Sequence, residues 1–217
     1  MGKKANVNFR YVNKTKTWNS NWYSDLINYG YIFKKDYFIY IYFQSLKELK
    51  QNLELCCFRI IRTSSNTIIE LVLAKKLKNP FDFDLNKKFL TSEFKWSLLL
   101  NIGRLFFSES NLKVFSKQKV KFSSKYVALI VAKLIEKRMK FKGSLIQRFL
   151  IKISQKLKGL QIKCKGRINN VDRAATEQIT FGSTPMQSFN VELDYGFAIA
   201  NTQKGLQSIK VWICKNL

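Results

Sequence analysis

The last third of the chain alternates with a period of two. In "LQIKCKGRI", Leu160, Ile162 and Cys164 fall on one side and Gln161, Lys163 and Lys165 on the other, the pattern of a strand buried on one face only. "ATEQITF", "SFNVELDY" and "LQSIKVWI" continue it and predict three further strands, the third presenting Phe189, Val191, Leu193 and Tyr195 on one face after a turn at "GSTPMQ". A four-stranded sheet with one apolar face must be covered, and the cover lies directly upstream. "SSKYVALIVAKLIEKRMK" aligns Val127, Ile130, Val131, Leu134 and Ile135 on one helical face, with Ser123 or Ser124 as N-cap. "GSLIQRFLIKISQKLKG" predicts a second helix along Leu145, Phe149, Ile153 and Leu157, closed by Gly159 at the position after its C-cap. Two helices followed by four strands define an α+β layer.

Charge decides what such a layer meets. Thirty-nine Lys and Arg against 14 Asp and Glu give a formal net charge of +25, which repels itself in a compact state unless a polyanion is present. The excess is uneven. Lys113 to Arg167 contains one acid, Glu136, whereas Leu193 to Ile213 carries only Asp194, Lys204 and Lys210. Arg148, Lys152 and Lys156 recur every fourth residue, forming one basic stripe on the second helix. A solvated helix face normally mixes both signs, so a face of one sign fits phosphates.

Other classes lack their chemistry. With no histidine the commonest general base is missing, and Cys56, Cys57, Cys164 and Cys214 show no paired C-x-x-C spacing. They read as buried reduced thiols; no metal, no cofactor and no catalysis are expected. The acids are scattered, and Asp82 with Asp84 has no third carboxylate nearby to hold a nuclease metal. "YFIYIYF" (37–43) and "LLLNIGRLFF" (98–107) are too short or carry a charge, so they read as a buried strand and a core helix rather than as membrane spans.

The N-terminal half is apolar and aromatic. A helix is expected around Ser45–Leu55, then two strands around the turn Thr63–Asn66, then a loop opened by Pro80 and a helix near Glu93–Phe107. The polar, basic stretch 108–122 reads as a boundary. Residues 1–24 contain no acid, and read alone they fit a targeting peptide or an anchoring arm equally.

"KGRINNVDRAATE" (165–177), "DYGFAIANTQKG" (194–205) and "IKVWI" (209–213) occur in the order of the C-terminal signature of the small-subunit ribosomal protein S-three family, which this chain resembles. "MGKKANVNFR" and "KTWNSNWY" resemble that family's N-terminal arm, and "AKLIEKRMKFKGSLIQ" its paired-helix region. The resemblance implies three parts: a basic arm over 1–24, a degenerate KH-type-II-like α+β domain over 25–112, and the two-helix, four-stranded domain over 113–217. It implies a structural constituent of the small subunit, one copy per ribosome, bound to rRNA in the head near the mRNA entry, beside the S-ten and S-fourteen families and without a membrane. The KH loop departs from the pattern, because Gly30 and Gly103 are the only glycines between Gly2 and Gly143 and no Gly-x-x-Gly exists there.

Candidate rRNA contacts on the arm are Lys3, Lys4, Arg10, Lys16, Trp18, Asn19 and Trp22; those on the C-terminal domain are Arg138, Arg148, Lys152, Lys156, Lys165, Arg167 and Arg173. Lys137 and Lys142 are candidates for the mRNA entry, where Gly143 and Ile146 replace the basic residues of the family. Lys outnumbers Arg 31 to 8, and Phe and Tyr exceed Ala and Gly. That usage follows A/T-rich codons and, with the resemblance beginning at the first residue, implies synthesis in an organelle: a mitochondrion first, a plastid second.

Overall fold

The computed structural model describes residues 7–12, 18–49, 53–63, 67–75, 110–116, 123–155 and 157–215. The chain is α+β and divides into two units: residues 1–17 with 121–217, and residues 18–120.

In the first unit the helices are α1 (Val7–Arg10), α3 (Ser124–Glu136) and α4 (Ser144–Ser154), and the strands are β5 (Gly159–Gly166), β6 (Ala175–Gly182), β7 (Leu193–Thr202) and β8 (Gly205–Cys214). The sheet runs β6-β5-β8-β7 and every pairing is antiparallel. Register places Leu160, Ile213 and Asp194 in one row, and Ile162, Val211 and Gly196 in the next. This row-forming face meets α3, whose Val127, Ala128 and Val131 are fully buried. At Gly196 an added Cβ would lie 2.3 Å from the Ser124 carbonyl carbon and 2.4 Å from the Lys125 nitrogen, so α3 enters against bare β7 backbone.

The opposite sheet face carries Leu193, Cys214, Tyr195 and Trp212. Tyr11, itself fully buried, packs on Leu193 and Cys214 with Val7 and Val191 beside it. Its hydroxyl donates to the Ser188 carbonyl, and Asn8 Nδ2 donates to the Tyr195 carbonyl at 3.2 Å. The start of the chain is thus a strap across the sheet face that the helices leave open.

Several expectations are corrected here. The third strand is β7, shifted to 193–202; Phe189 instead packs its ring 5.8 Å from that of Tyr11. The alternation through 189 and 191 reports contact with the strap rather than strand pairing. Gly159 does not close the second helix. That helix ends at Ser154 with Gln155 as its cap, and Gly159 opens β5, where an added Cβ would strike the Ser183 carbonyl oxygen at 2.0 Å. The buried line of α4 is Ile146, Phe149, Leu150 and Ile153, with Leu145 only half-buried.

In the second unit β1 (Ser20–Asn21), β2 (Leu53–Arg62), β3 (Thr67–Lys75) and β4 (Ser110–Ser116) form a sheet in that order, with β2 and β3 antiparallel and both outer pairings parallel. The expected hairpin is present. "YFIYIYF" is not a strand, however: it lies within α2 (Leu26–Leu49), which also replaces the helix expected at Ser45–Leu55. A run of seven apolar residues has no period, and flanking residues decide its form. Asp36 supplies the decision. It is buried in α2, accepting from the Trp22 indole at 2.7 Å and from Arg62 Nε at 3.1 Å, and so ties the helix to β2. The stretch read as a boundary contains β4, and the two units divide within it, between residues 120 and 121. The helix expected near Glu93–Phe107 lies outside the described residues. Among the described residues no helix is long and apolar enough to cross a membrane.

Candidate nucleic-acid interface

The stripe on α4 follows from its packing. Burial of Ile146, Phe149, Leu150 and Ile153 on one side turns Arg148 and Lys152 outward, one turn apart and both exposed. Lys156 lies outside the described residues. Before α4, Lys137, Arg138, Lys140 and Lys142 are all exposed, in the connection from α3. Ile146 is fully buried, so that position faces the core. An added Cβ at Gly143 would sit 2.9 Å from the Lys140 carbonyl oxygen, so a side chain there requires that turn to shift.

The other candidates divide by what holds them. Arg10 donates to the carbonyls of Met186 (3.3 Å) and Gln187 (3.4 Å) and lies 4.7 Å over the Phe189 ring, which fastens the strap. Arg167 donates through Nε to the Asp172 carbonyl at 3.0 Å, and the Asp172 carboxylate also receives Lys204 at 3.1 Å, closing the loop after β5. Trp22 is held by Asp36 and by the Tyr29 ring at 5.4 Å. Trp18, Asn19, Lys165 and Arg173 are exposed, although the Asn19 carbonyl accepts from the Ile60 N–H at 2.7 Å. Lys3, Lys4 and Lys16 lie outside the described residues.

One cluster had no sequence signal. The end of α3, the connection 138–141, the 3-10 turn Ile168–Asn170 and the β7–β8 turn line a half-open cleft of about 270 Å³. Arg138, Lys140, Asn169, Asn201 and Gln203 line it, residues from three separate stretches that only the sheet topology joins.

Cys164 and Cys214 are buried free thiols. Burial pushes the Cys164 thiol up to about 11, with the Glu177 carboxylate adding to the rise. Burial also raises Cys214, against the pull of Lys158. A thiol so held is protonated at neutral pH and so a poor nucleophile.

Residues 131–213 match the family profile of ribosomal protein S3, C-terminal domain. The chain is 28% identical over 221 residues to "Small ribosomal subunit protein uS3" of Dictyoglomus turgidum, covering 99% of this chain and 84% of that protein. It is 26% identical over 220 residues to the uS3 protein of Borrelia turicatae, covering 99% of this chain and 75% of that one. To "Small ribosomal subunit protein uS3c" of Euglena longa it is 27% identical over 222 residues, covering 99% of this chain and 100% of the other. The profile match spans the end of α3, α4 and the sheet, so for that part of the chain it gives the class first, a ribosomal-protein domain. For the chain as a whole, the comparisons support the uS3 family of the small ribosomal subunit. These relatives bear the names of ribosomal proteins rather than of enzymes, in keeping with a sequence that offers no catalytic constellation.

Proposed function

We propose that the chain is a structural, rRNA-binding constituent of an organellar small ribosomal subunit, seated in the head near the mRNA entry. The observation that carries this is the exposed pair Arg148 and Lys152 over a fully apolar α4 underside, with Arg138, Lys140 and Lys142 exposed in the preceding connection. Such a face neutralises phosphates and releases their counterions, a sequence-independent contribution that weakens with salt. Lys165, on the sheet face away from the helices, and Arg173 are further candidates in the first unit, and the exposed Trp18 and Asn19 are candidates from the second unit. Arg10, Arg167 and Trp22 act by positioning: they hold the strap, the β5 loop and α2 in place. Lys3, Lys4, Lys16 and Lys156 complete the basic set from the sequence.

Lys137 and Lys142 are proposed to face incoming mRNA, with a weaker grip on structured message than in relatives that carry basic residues at positions 143 and 146. The second unit is proposed as a KH-like scaffold without the backbone-clamping loop. The neighbours proposed are S-ten and S-fourteen proteins, with one copy of this chain per ribosome. For the compartment, codon-driven composition favours a mitochondrion. The end-to-end match to the Euglena longa uS3c protein favours a plastid as the second reading.

Sedimentation tests the reading. The chain, tagged in its own cells, is expected to co-migrate with the small ribosomal subunit in an organelle fraction and to leave it after RNase or at high salt. Migration as a free monomer in physiological salt contradicts it, and the organelle in which co-migration is found separates the two compartments.

A further inference from the structure

Arg138 and Asn169, with φ of 62° and 54°, are the two non-glycine residues with left-handed backbone among those described, and both line the same cleft. For Asn169 the conformation is common, and its Oδ1 accepts the Phe141 N–H at 3.3 Å, which closes one wall. Arg138 is different. The N–H of Met139 donates to the Leu134 carbonyl at 3.0 Å and the N–H of Arg138 to that of Ile135 at 2.8 Å. This is the Schellman closure of a helix, and its left-handed position is the one where glycine is favoured. The chain keeps a long cation there at a cost in stability, and its side chain is exposed and lines the cleft. Residues in rarely populated backbone conformations cluster at ligand clamps, which directs attention to this cleft.

The lining says what binds. Met139, Phe141 and Ile168 give an apolar floor, the amides of Asn201 and Gln203 each bring a paired donor and acceptor, and Asn169 brings its amide nitrogen as a donor. Arg138 and Lys140 bring the positive charge. Glu136, the one acid in the lining, accepts the Asn201 N–H at 3.0 Å and so is turned to the β7 main chain. An apolar floor suits the face of a base, amides suit its edge, and two cations suit its phosphate. About 270 Å³ is room on the scale of one nucleotide. We propose that this cleft captures a single unpaired RNA nucleotide, adding recognition of an extruded base to the phosphate contacts of α4. It rests on the rRNA-binding reading and is separable from it.

The test uses the full-length chain and two fluorescein-labelled probes, a mixed-sequence unpaired hexaribonucleotide and a blunt RNA duplex of equal phosphate number, read by anisotropy. Arg138→Gly is expected to raise the melting midpoint by roughly 2–4 °C, since strain is relieved. The same change is expected to weaken the unpaired probe about tenfold and the duplex less than about threefold. Gln203→Ala, in an exposed turn, is expected to weaken the unpaired probe alone and leave melting unchanged. Arg148→Gln with Lys152→Gln is expected to weaken both probes. If Arg138→Gly binds the unpaired probe like the parent, or loses both probes equally, the cleft is not a nucleotide site, while loss of both probes in the α4 variant still upholds the broader reading. A parent chain that binds neither probe overturns both.

Discussion

Asp194 Oδ2 accepts the backbone N–H of Ser124 at 2.9 Å and its hydroxyl at 2.8 Å, so a carboxylate on β7 caps a helix seventy residues earlier. Ser123, the residue at the N-cap, makes no side-chain cap bond. The single acid of the closing strands thus neutralises the positive end of α3 and satisfies a first-turn donor. That is why so basic a chain retains an acid there. The cap fixes where α3 starts and, through it, where the connection to α4 and the exposed cations lie.

Removing the cap should therefore loosen the whole layer. Asp194→Ala is expected to lower unfolding stability by about 1–2 kcal/mol, and Asp194→Asn, which keeps an acceptor, by less. Urea denaturation of the full chain measures both. Equal stability of the alanine variant and the parent removes the cap from the account.

Gly196 sits on the same strand face two residues on. Ala there puts a methyl 2.3 Å from the Ser124 carbonyl carbon and 2.4 Å from the Lys125 nitrogen, atoms of backbone that cannot swing aside. Gly196→Ala is expected to cost about 3 kcal/mol, the upper end for overpacking. Thermal melting reads it. A shift too small to resolve means that α3 does not sit as close as the geometry requires.

On α4, charge reversal separates binding from folding. Arg148→Glu with Lys152→Glu, and Lys156→Glu added, is expected to block incorporation into the small subunit while circular dichroism and melting stay within error, because Arg148 and Lys152 point away from the core. In binding to isolated rRNA the slope of affinity against salt should fall by about one for each phosphate no longer neutralised. Normal incorporation of the triple variant refutes the stripe.

The buried thiol makes an alkaline prediction. Cys164 has a folded pKa raised to about 11 from an ordinary 9.0. Its stabilising contribution is complete below pH 9 and disappears as pH rises to about 11, because the unfolded chain ionises there first. Stability should fall over that window by on the order of 2 kcal/mol. Cys164→Ser is expected to flatten that fall while lowering stability at neutral pH. At neutral pH the parent's thiol should resist iodoacetamide until urea unfolds the chain.

Local pattern determined much of this protein. Period-two alternation at Leu160, Ile162 and Cys164 marks β5 because one face of that strand is apolar and fully buried, whereas the other is polar and runs from buried Gln161 to exposed Lys165. Period 3.6 marks α3 for the same reason. The basic face of α4 follows from spacing alone, since Arg148 and Lys152 must emerge wherever Phe149 and Ile153 are buried. These features depend on neighbours within a few residues, and such neighbours are written in order.

Tertiary contact decided the rest. Nothing beside "YFIYIYF" says helix; Asp36 says it by meeting Arg62 and Trp22 across 26 and 14 residues. Arg10 reads as a phosphate contact from the sequence, and folding adds contacts to Met186, Gln187 and Phe189 that no spacing shows, while leaving it exposed. Asp194 becomes a cap, Gly196 a seat for α3 and Arg138 the mouth of a cleft only when the sheet order β6-β5-β8-β7 brings distant stretches together. A side chain's neighbours along the chain set its secondary structure, but its function is set by groups that folding delivers, and no spacing in the sequence encodes their distance.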